Sequence, residues 1–172
     1  MERDTILLID NDNESVGLIR SIFQKEYKIV DFANGKDAVA YLAKGYKHIA
    51  LIVLEKELTD LDGAVILKVL DKKGITKIIP VLATAASRDS HLIAECYENG
   101  AADFARKPLI PAIIKGRIDN LIELYQDKVE LELRVNQQMS MIKNQNLTNA
   151  LYQASLDSRR INFKEKTRKK RY

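Results

Sequence analysis

The chain has 172 residues, 46% apolar and 30% charged, a balance that excludes a disordered or fibrous protein and suits one ordinary domain with an appendage. Its single cysteine, Cys96, excludes an internal disulfide framework and fits a reducing compartment. The net charge of +4 belongs to the tail: residues 157–172 carry eight Lys and Arg against Asp157 and Glu165, a local +6 that leaves −2 for residues 1–156.

In chain order, Thr5 to Ile9 is a continuous apolar run, the pattern of a buried strand, broken by Asp10-Asn11-Asp12-Asn13. The opening Met1-Glu2-Arg3-Asp4 is charged and has no signal-peptide core, and no apolar run reaches bilayer length, so a cytoplasmic protein without membrane contact is expected. Asp12 or Asn13 caps a first helix with Val16, Ile19, Ile22 and Phe23 on one face. Tyr27 to Phe32 reads as a second strand, Asn34-Gly35 as a turn, and Ala38, Val39, Leu42 and Ala43 as a second helix closed by Gly45. Ile49 to Leu54 is a third strand that delivers Glu55 to its C-terminal end. Asp60 to Gly63 opens a third helix through Val65, Ile66, Val69 and Leu70, ended by Gly74. Ile78 to Ala83 predicts a fourth strand stopping at Thr84, and Ser87 or Asp89 a cap for a fourth helix running to Gly100. Asp103 to Arg106 is a short fifth strand, followed by Lys107-Pro108, and Pro111 suits the first turn of a fifth helix.

Five strand–helix repeats at this spacing predict an α/β fold, a doubly wound five-stranded parallel sheet of the flavodoxin-like type with right-handed crossovers. In such sheets the functional crevice lies beyond the C-terminal ends of the strands. Asp10, Glu55, Thr84 and Lys107 all map there. Carboxylate, hydroxyl and ammonium groups converging on one edge suit phosphoryl chemistry or a divalent metal. Each residue alone has a plainer reading, since a strand-end Asp is often a cap and a Thr often a turn residue.

From Pro111 to about Arg160 there is no proline and only Gly116 interrupts the helix formers. Apolar residues recur at steps of three and four from Ile114 to Ala154, with register slips near Leu133 and after Ile142. This is the pattern of a coiled coil with stutters. So long a helix buries too little against one small domain, and a homodimer through this C-terminal helix is expected. Met139 and Met141 read as helix-packing residues, Cys96 as core, and His48 and His91 as surface residues.

The motifs Ile6-Leu7-Leu8-Ile9-Asp10-Asn11-Asp12, Leu51 to Gly63, Pro80 to Ala85, Asn99 to Phe104 and Lys107-Pro108 together resemble the CheY-like receiver domains of two-component response regulators, over residues 4–123. The resemblance implies a receiver-like domain at 1–123 and a helical extension with a basic tail at 124–172. It implies that a histidine kinase phosphorylates an aspartate at the position of Glu55. It also implies Mg²⁺ held by Asp10, Asn11, Glu55 and the backbone of Glu57. Thr84 and Lys107 would contact the phosphoryl group, Phe104 would relay the signal, and the Lys107-Pro108 bond would be cis. The face of the fourth helix, fifth strand and fifth helix is where such domains dimerise.

Two departures matter. The acceptor position holds Glu55, whose carboxylate sits roughly 1.5 Å further out by one carbon–carbon bond and takes the space of a phosphoryl group. The second acidic position holds Asn11, which removes a charge and weakens Mg²⁺ binding. The expectation is a degenerate receiver, not an enzyme, in which Glu55 substitutes for the phosphorylated aspartate and contacts Thr84 and Lys107. The plainer reading of Glu55 is inert drift in a receiver that no longer signals through this site, and three further alternatives stand beside it. One is a receiver that still accepts phosphate and forms the N-terminal part of a larger output protein of the diguanylate cyclase or phosphodiesterase type. Another is a DNA-binding regulator using Lys164 to Arg171, although that run is more simply a solvated end than a nucleic-acid site. The third is a phosphatase of the haloacid dehalogenase type, with Asp10 as nucleophile and Asp12 as general acid. It lacks a later acidic pair on a strand end, because Asp119 and Glu123 fall inside the long helix.

Overall fold

A computed structural model describes residues 3–169, with side chains to residue 159. The elements follow the order β1 (Thr5–Ile9), α1 (Asn13–Phe23), β2 (Lys28–Phe32), α2 (Gly35–Lys44), β3 (Ile49–Glu55), α3 (Gly63–Lys72), a 3₁₀ turn (Ile75–Lys77), β4 (Val81–Ala85), α4 (Ser90–Glu98), β5 (Asp103–Arg106) and α5 (Pro111–Lys169). The strands form one parallel sheet in the order β2-β1-β3-β4-β5. Every residue of β1, β3 and β4 is buried, as expected of strands covered on both faces.

Alternate residues of each strand serve opposite layers. Leu7, Ile9, Ile52, Leu54, Val81 and Phe104 pack with residues of α2, α3 and α4. Ile6, Leu8, Leu51, Val53, Leu82 and Ala105 pack with Ile19 and Phe23 of α1 and Ile114 and Ile118 of α5. The chain divides into two compact units, one up to Asp127 and one from Lys128. The second consists of the later part of α5, where Leu131, Val135, Ile142 and Leu151 are exposed. The side chains of the basic run 164–171 lie outside those described.

Helices α1 to α4 each start on a short polar side chain that accepts from an otherwise unpartnered backbone N–H. Asp12 accepts from Glu14 at 3.1 Å, Asn34 from Asp37 at 2.9 Å, Asp62 from Ala64 at 2.8 Å and Asp89 from His91 at 2.9 Å. Asn34-Gly35 is therefore a helix cap and first helical residue rather than a turn between elements.

The fourth strand begins three residues later than its apolar run. Gly74 adopts a left-handed conformation (φ 71°) and opens the 3₁₀ turn, and the amides of Ile78 and Ile79 bond back to the carbonyl of Ile75. A buried turn and a buried strand share the same apolar signature, and Pro80 marks where the ladder can start. Thr84 thus lies within β4, paired with Glu55, and not just past its end. His48 is half-buried rather than on the surface, with Nε2 2.9 Å from the Tyr41 hydroxyl. His91 is exposed and Cys96 is buried in the core, where burial pushes its thiol pKa up.

Candidate functional site

The site is assembled by strand register. Asp10 leaves β1 with its amide bonded to Phe32 at the end of β2. Glu55 ends β3 opposite Thr84, and the Lys107 amide donates to Ala85 at the end of β4. Four residues far apart in sequence therefore meet at one edge of the sheet. The Lys107-Pro108 peptide bond is cis.

The Lys107 ammonium is the hub. Its Nζ lies 2.5 Å from Glu55 Oε2, 2.8 Å from both carboxylate oxygens of Asp10, and 3.5 Å from Asp12 Oδ2. Glu55 is held at both oxygens: the Glu57 amide donates to Oε1 at 3.1 Å, and the Thr84 hydroxyl reaches Oε2 at 3.4 Å. Asp10 Oδ1 also accepts from the Asp12 amide at 2.8 Å. Asp10, Glu55 and Thr84 are buried, and the Lys107 side chain is only 12% exposed. In so dry a place the charge-assisted bonds are short and strong.

The charges do not balance, because two buried carboxylates share one ammonium. Burial pushes the Asp10 carboxyl pKa up, the bonds to Lys107 and the Asp12 amide counter part of that, and the nearby Glu55 charge adds to it. Burial pulls the Lys107 pKa down, but the bonds to Asp10 and Glu55 more than offset it and hold the ammonium above its usual range.

A divalent cation fits this donor set poorly. Mg²⁺ wants several anionic or carbonyl oxygens in near-octahedral array. Among the described residues, Asp10 Oδ2 is the one buried oxygen of the cluster that accepts no hydrogen bond, and the Lys107 ammonium already lies 2.8 Å from it. Asn11 is neutral and exposed, and among the described residues no group of three or more His, Cys, Asp or Glu could hold a metal. Glu57 enters the site through its amide, while its own side chain is exposed.

Phe104 stands apart from this cluster. It is buried in the core layer that packs with α2, α3 and α4. Asp119, which a phosphatase would need at a strand end, is on α5 and pairs with Lys115 at 2.6 Å.

Two further residues were not singled out from the sequence. Lys56 is buried, with Nζ 2.7 and 2.8 Å from the two Asp62 oxygens and 3.4 Å from Glu95 Oε2. Asp60 accepts from the amides of Gly35 and Lys36 at 2.8 and 3.1 Å, joining the β3–α3 loop to the start of α2. A lysine closing an apolar strand with an aspartate six residues on was the available signal for Lys56. The loop they brace is closed by Gly63, where a Cβ would lie 2.3 Å from the Glu55 carbonyl oxygen, so no other residue fits without moving the backbone that carries Glu55.

Known proteins point the same way. The chain is 24% identical over 132 residues to the cyclic di-GMP phosphodiesterase response regulator RpfG of Xanthomonas campestris, a match covering 75% of this chain and 34% of that one. It is 26% identical over 118 residues to the response regulator SaeR of Staphylococcus aureus, covering 68% and 50%. The chain thus spans a third to a half of the length of these curated relatives. Among solved structures, the signal receiver domain of a Luxo repressor protein from Vibrio parahaemolyticus superposes with a TM-score of 0.68 at 21% identity, covering 76% of this chain and 98% of that one. No helix among the described residues is long and apolar enough to cross a membrane. The sequence pattern of the response regulator receiver domain matches residues 6–119, and with this sheet order and this edge of carboxylates, threonine and lysine, the chain belongs to the receiver family of two-component signalling.

Proposed function

We propose that this chain is a pseudo-receiver, in which Glu55 replaces the phosphoaccepting aspartate and holds the site in a state resembling the phosphorylated one. The observation that carries the reading is the 2.5 Å contact between Glu55 Oε2 and Lys107 Nζ, with Thr84 on the same oxygen. An oxygen anion on that lysine and that hydroxyl is what a phosphoryl oxygen would supply. Asn11 and the ammonium between Asp10 and Glu55 support weak Mg²⁺ binding. The chain then acts by protein contact and not as an enzyme, with Phe104 relaying the state of the site and a histidine kinase or an output domain as partner. Incubation with Mg²⁺ and acetyl phosphate leaves the intact mass unchanged; a stoichiometric phosphoryl adduct on Glu55 overturns the reading.

A receiver module over residues 1–123 and a dimerising coiled-coil extension over 124–172 complete the proposal. Leu131, Leu133, Met139, Met141 and Ile142 are each more than half exposed on α5. Between Arg134 and Asp157 the only charged residue is Lys143. Such a helix has few ion pairs to stabilise it in water, which favours a covering copy. Light scattering gives twice the chain mass for the full protein and the monomer mass after truncation at residue 127; equal monomer masses refute the dimer. The partial coverage of RpfG and SaeR favours one second reading, that of a receiver module within a longer regulator.

A further inference from the structure

Lys56 follows Glu55 in the chain, yet its ammonium binds a different set of groups. Its backbone is built into the strand end: the amide donates to the Thr84 carbonyl at 2.8 Å, and the carbonyl accepts from Gly63 at 2.9 Å. Its side chain is only 9% exposed and reaches both oxygens of Asp62, the cap of α3, and then Glu95 of α4. One residue therefore joins the end of β3, the start of α3 and the middle of α4.

The α4 contact stands out because α4 is weakly anchored. It contributes one buried side chain, Cys96, whereas α3 contributes five buried residues. A helix with so little buried apolar surface belongs to the low-stability end of a fold, where a polar tether can decide position. Cys96 is the neighbour of Glu95 in sequence, so the tether and the only fully buried contact act on the same turn.

We propose that Lys56 is a positioning residue that ties α4 to the strand end carrying Glu55, so that the place of α4 on the domain follows the state of that strand end. A shift of the Glu55 backbone moves the Lys56 backbone with it. The Asp62 bonds hold the ammonium in line, and Glu95 transmits the shift to α4. The inference does not depend on whether Glu55 imitates a phosphorylated aspartate.

Hydrogen–deuterium exchange followed by mass spectrometry on the full chain tests it. Glu95→Gln, a change at a half-exposed carboxylate, speeds exchange in the α4 peptide by roughly two- to fivefold, the range of a partly exposed ion pair, and leaves β1 and α1 unchanged. Lys56→Met does the same, the double variant adds nothing further, and Lys56→Arg restores slow exchange. Glu55→Gln changes α4 exchange in the wild-type background, and that response disappears in Glu95→Gln. The proposal is overturned if α4 exchange is indifferent to Glu95→Gln, if the two substitutions add, or if the Glu55→Gln response persists without Glu95. Should Lys56→Met not fold, the Glu95→Gln and Glu55→Gln arms decide alone.

Discussion

Lys107→Met lowers the unfolding free energy by about 3–5 kcal/mol at neutral pH, the cost of leaving buried charges without their partner. Both Asp10 and Glu55 depend on this ammonium, and their side chains are 2% and 4% exposed, so water cannot replace it without opening the edge of the sheet. Urea denaturation measures the loss as a lower midpoint with an unchanged slope. A deficit below about 1 kcal/mol would place this cluster with exposed, weakly coupled pairs.

The pH dependence of that deficit follows from the direction of the shifts. The Lys107 pKa is raised in the fold, so its contribution is complete below the ordinary lysine value of 10.5 and is lost as pH rises through the higher folded value. The Asp10 pKa is also raised, so its protonated form is the one the fold favours, fully so below the ordinary value of 3.8. As pH falls through the folded Asp10 value, the carboxyl becomes neutral and no longer needs the ammonium. The difference between wild type and Lys107→Met therefore narrows as pH falls through that value.

The double variant Glu55→Asp, Asn11→Asp accepts a phosphoryl group from acetyl phosphate in the presence of Mg²⁺, where the wild-type chain does not. Shortening the side chain by one carbon–carbon bond withdraws the carboxylate by roughly 1.5 Å from Lys107 and Thr84, which frees the space the group must occupy. Asn11→Asp adds the anionic oxygen that a hard cation requires. Calorimetric titration then detects Mg²⁺ binding tightened on the order of tenfold or more, equivalent to about 1.4 kcal/mol. Glu55→Asp alone opens the acceptor but leaves the metal weak, and Asn11→Asp alone leaves the acceptor blocked. If the double variant binds Mg²⁺ and still gains no mass, the block lies elsewhere than in these two positions.

The strands that carry the site were legible because they are continuous apolar runs interrupted by polar residues at fixed places. Ile6 to Asp10 and Leu51 to Glu55 each announce a buried strand and the group at its end. Where the local signal is shared by two structures, it misleads. Ile78 and Ile79 are as apolar as any strand residue but belong to a turn selected by Gly74 and Pro80. Asn34-Gly35 carries turn chemistry and helix-cap chemistry alike, and the α2 helix decides between them.

Sequence alone determined the α/β repeat and the candidate residues at the strand ends, Glu55 and Asn11 among them. Those features depend on residue type and local period, which need no partner in space. Only the tertiary structure decided how the charges are shared. Lys107 is 97 residues from Asp10 and 52 from Glu55 in sequence, and nothing in their spacing says that one ammonium serves both carboxylates. The same holds for Lys56, whose partners Asp62 and Glu95 come from a loop and a helix that only the packing of α3 and α4 against the sheet brings together.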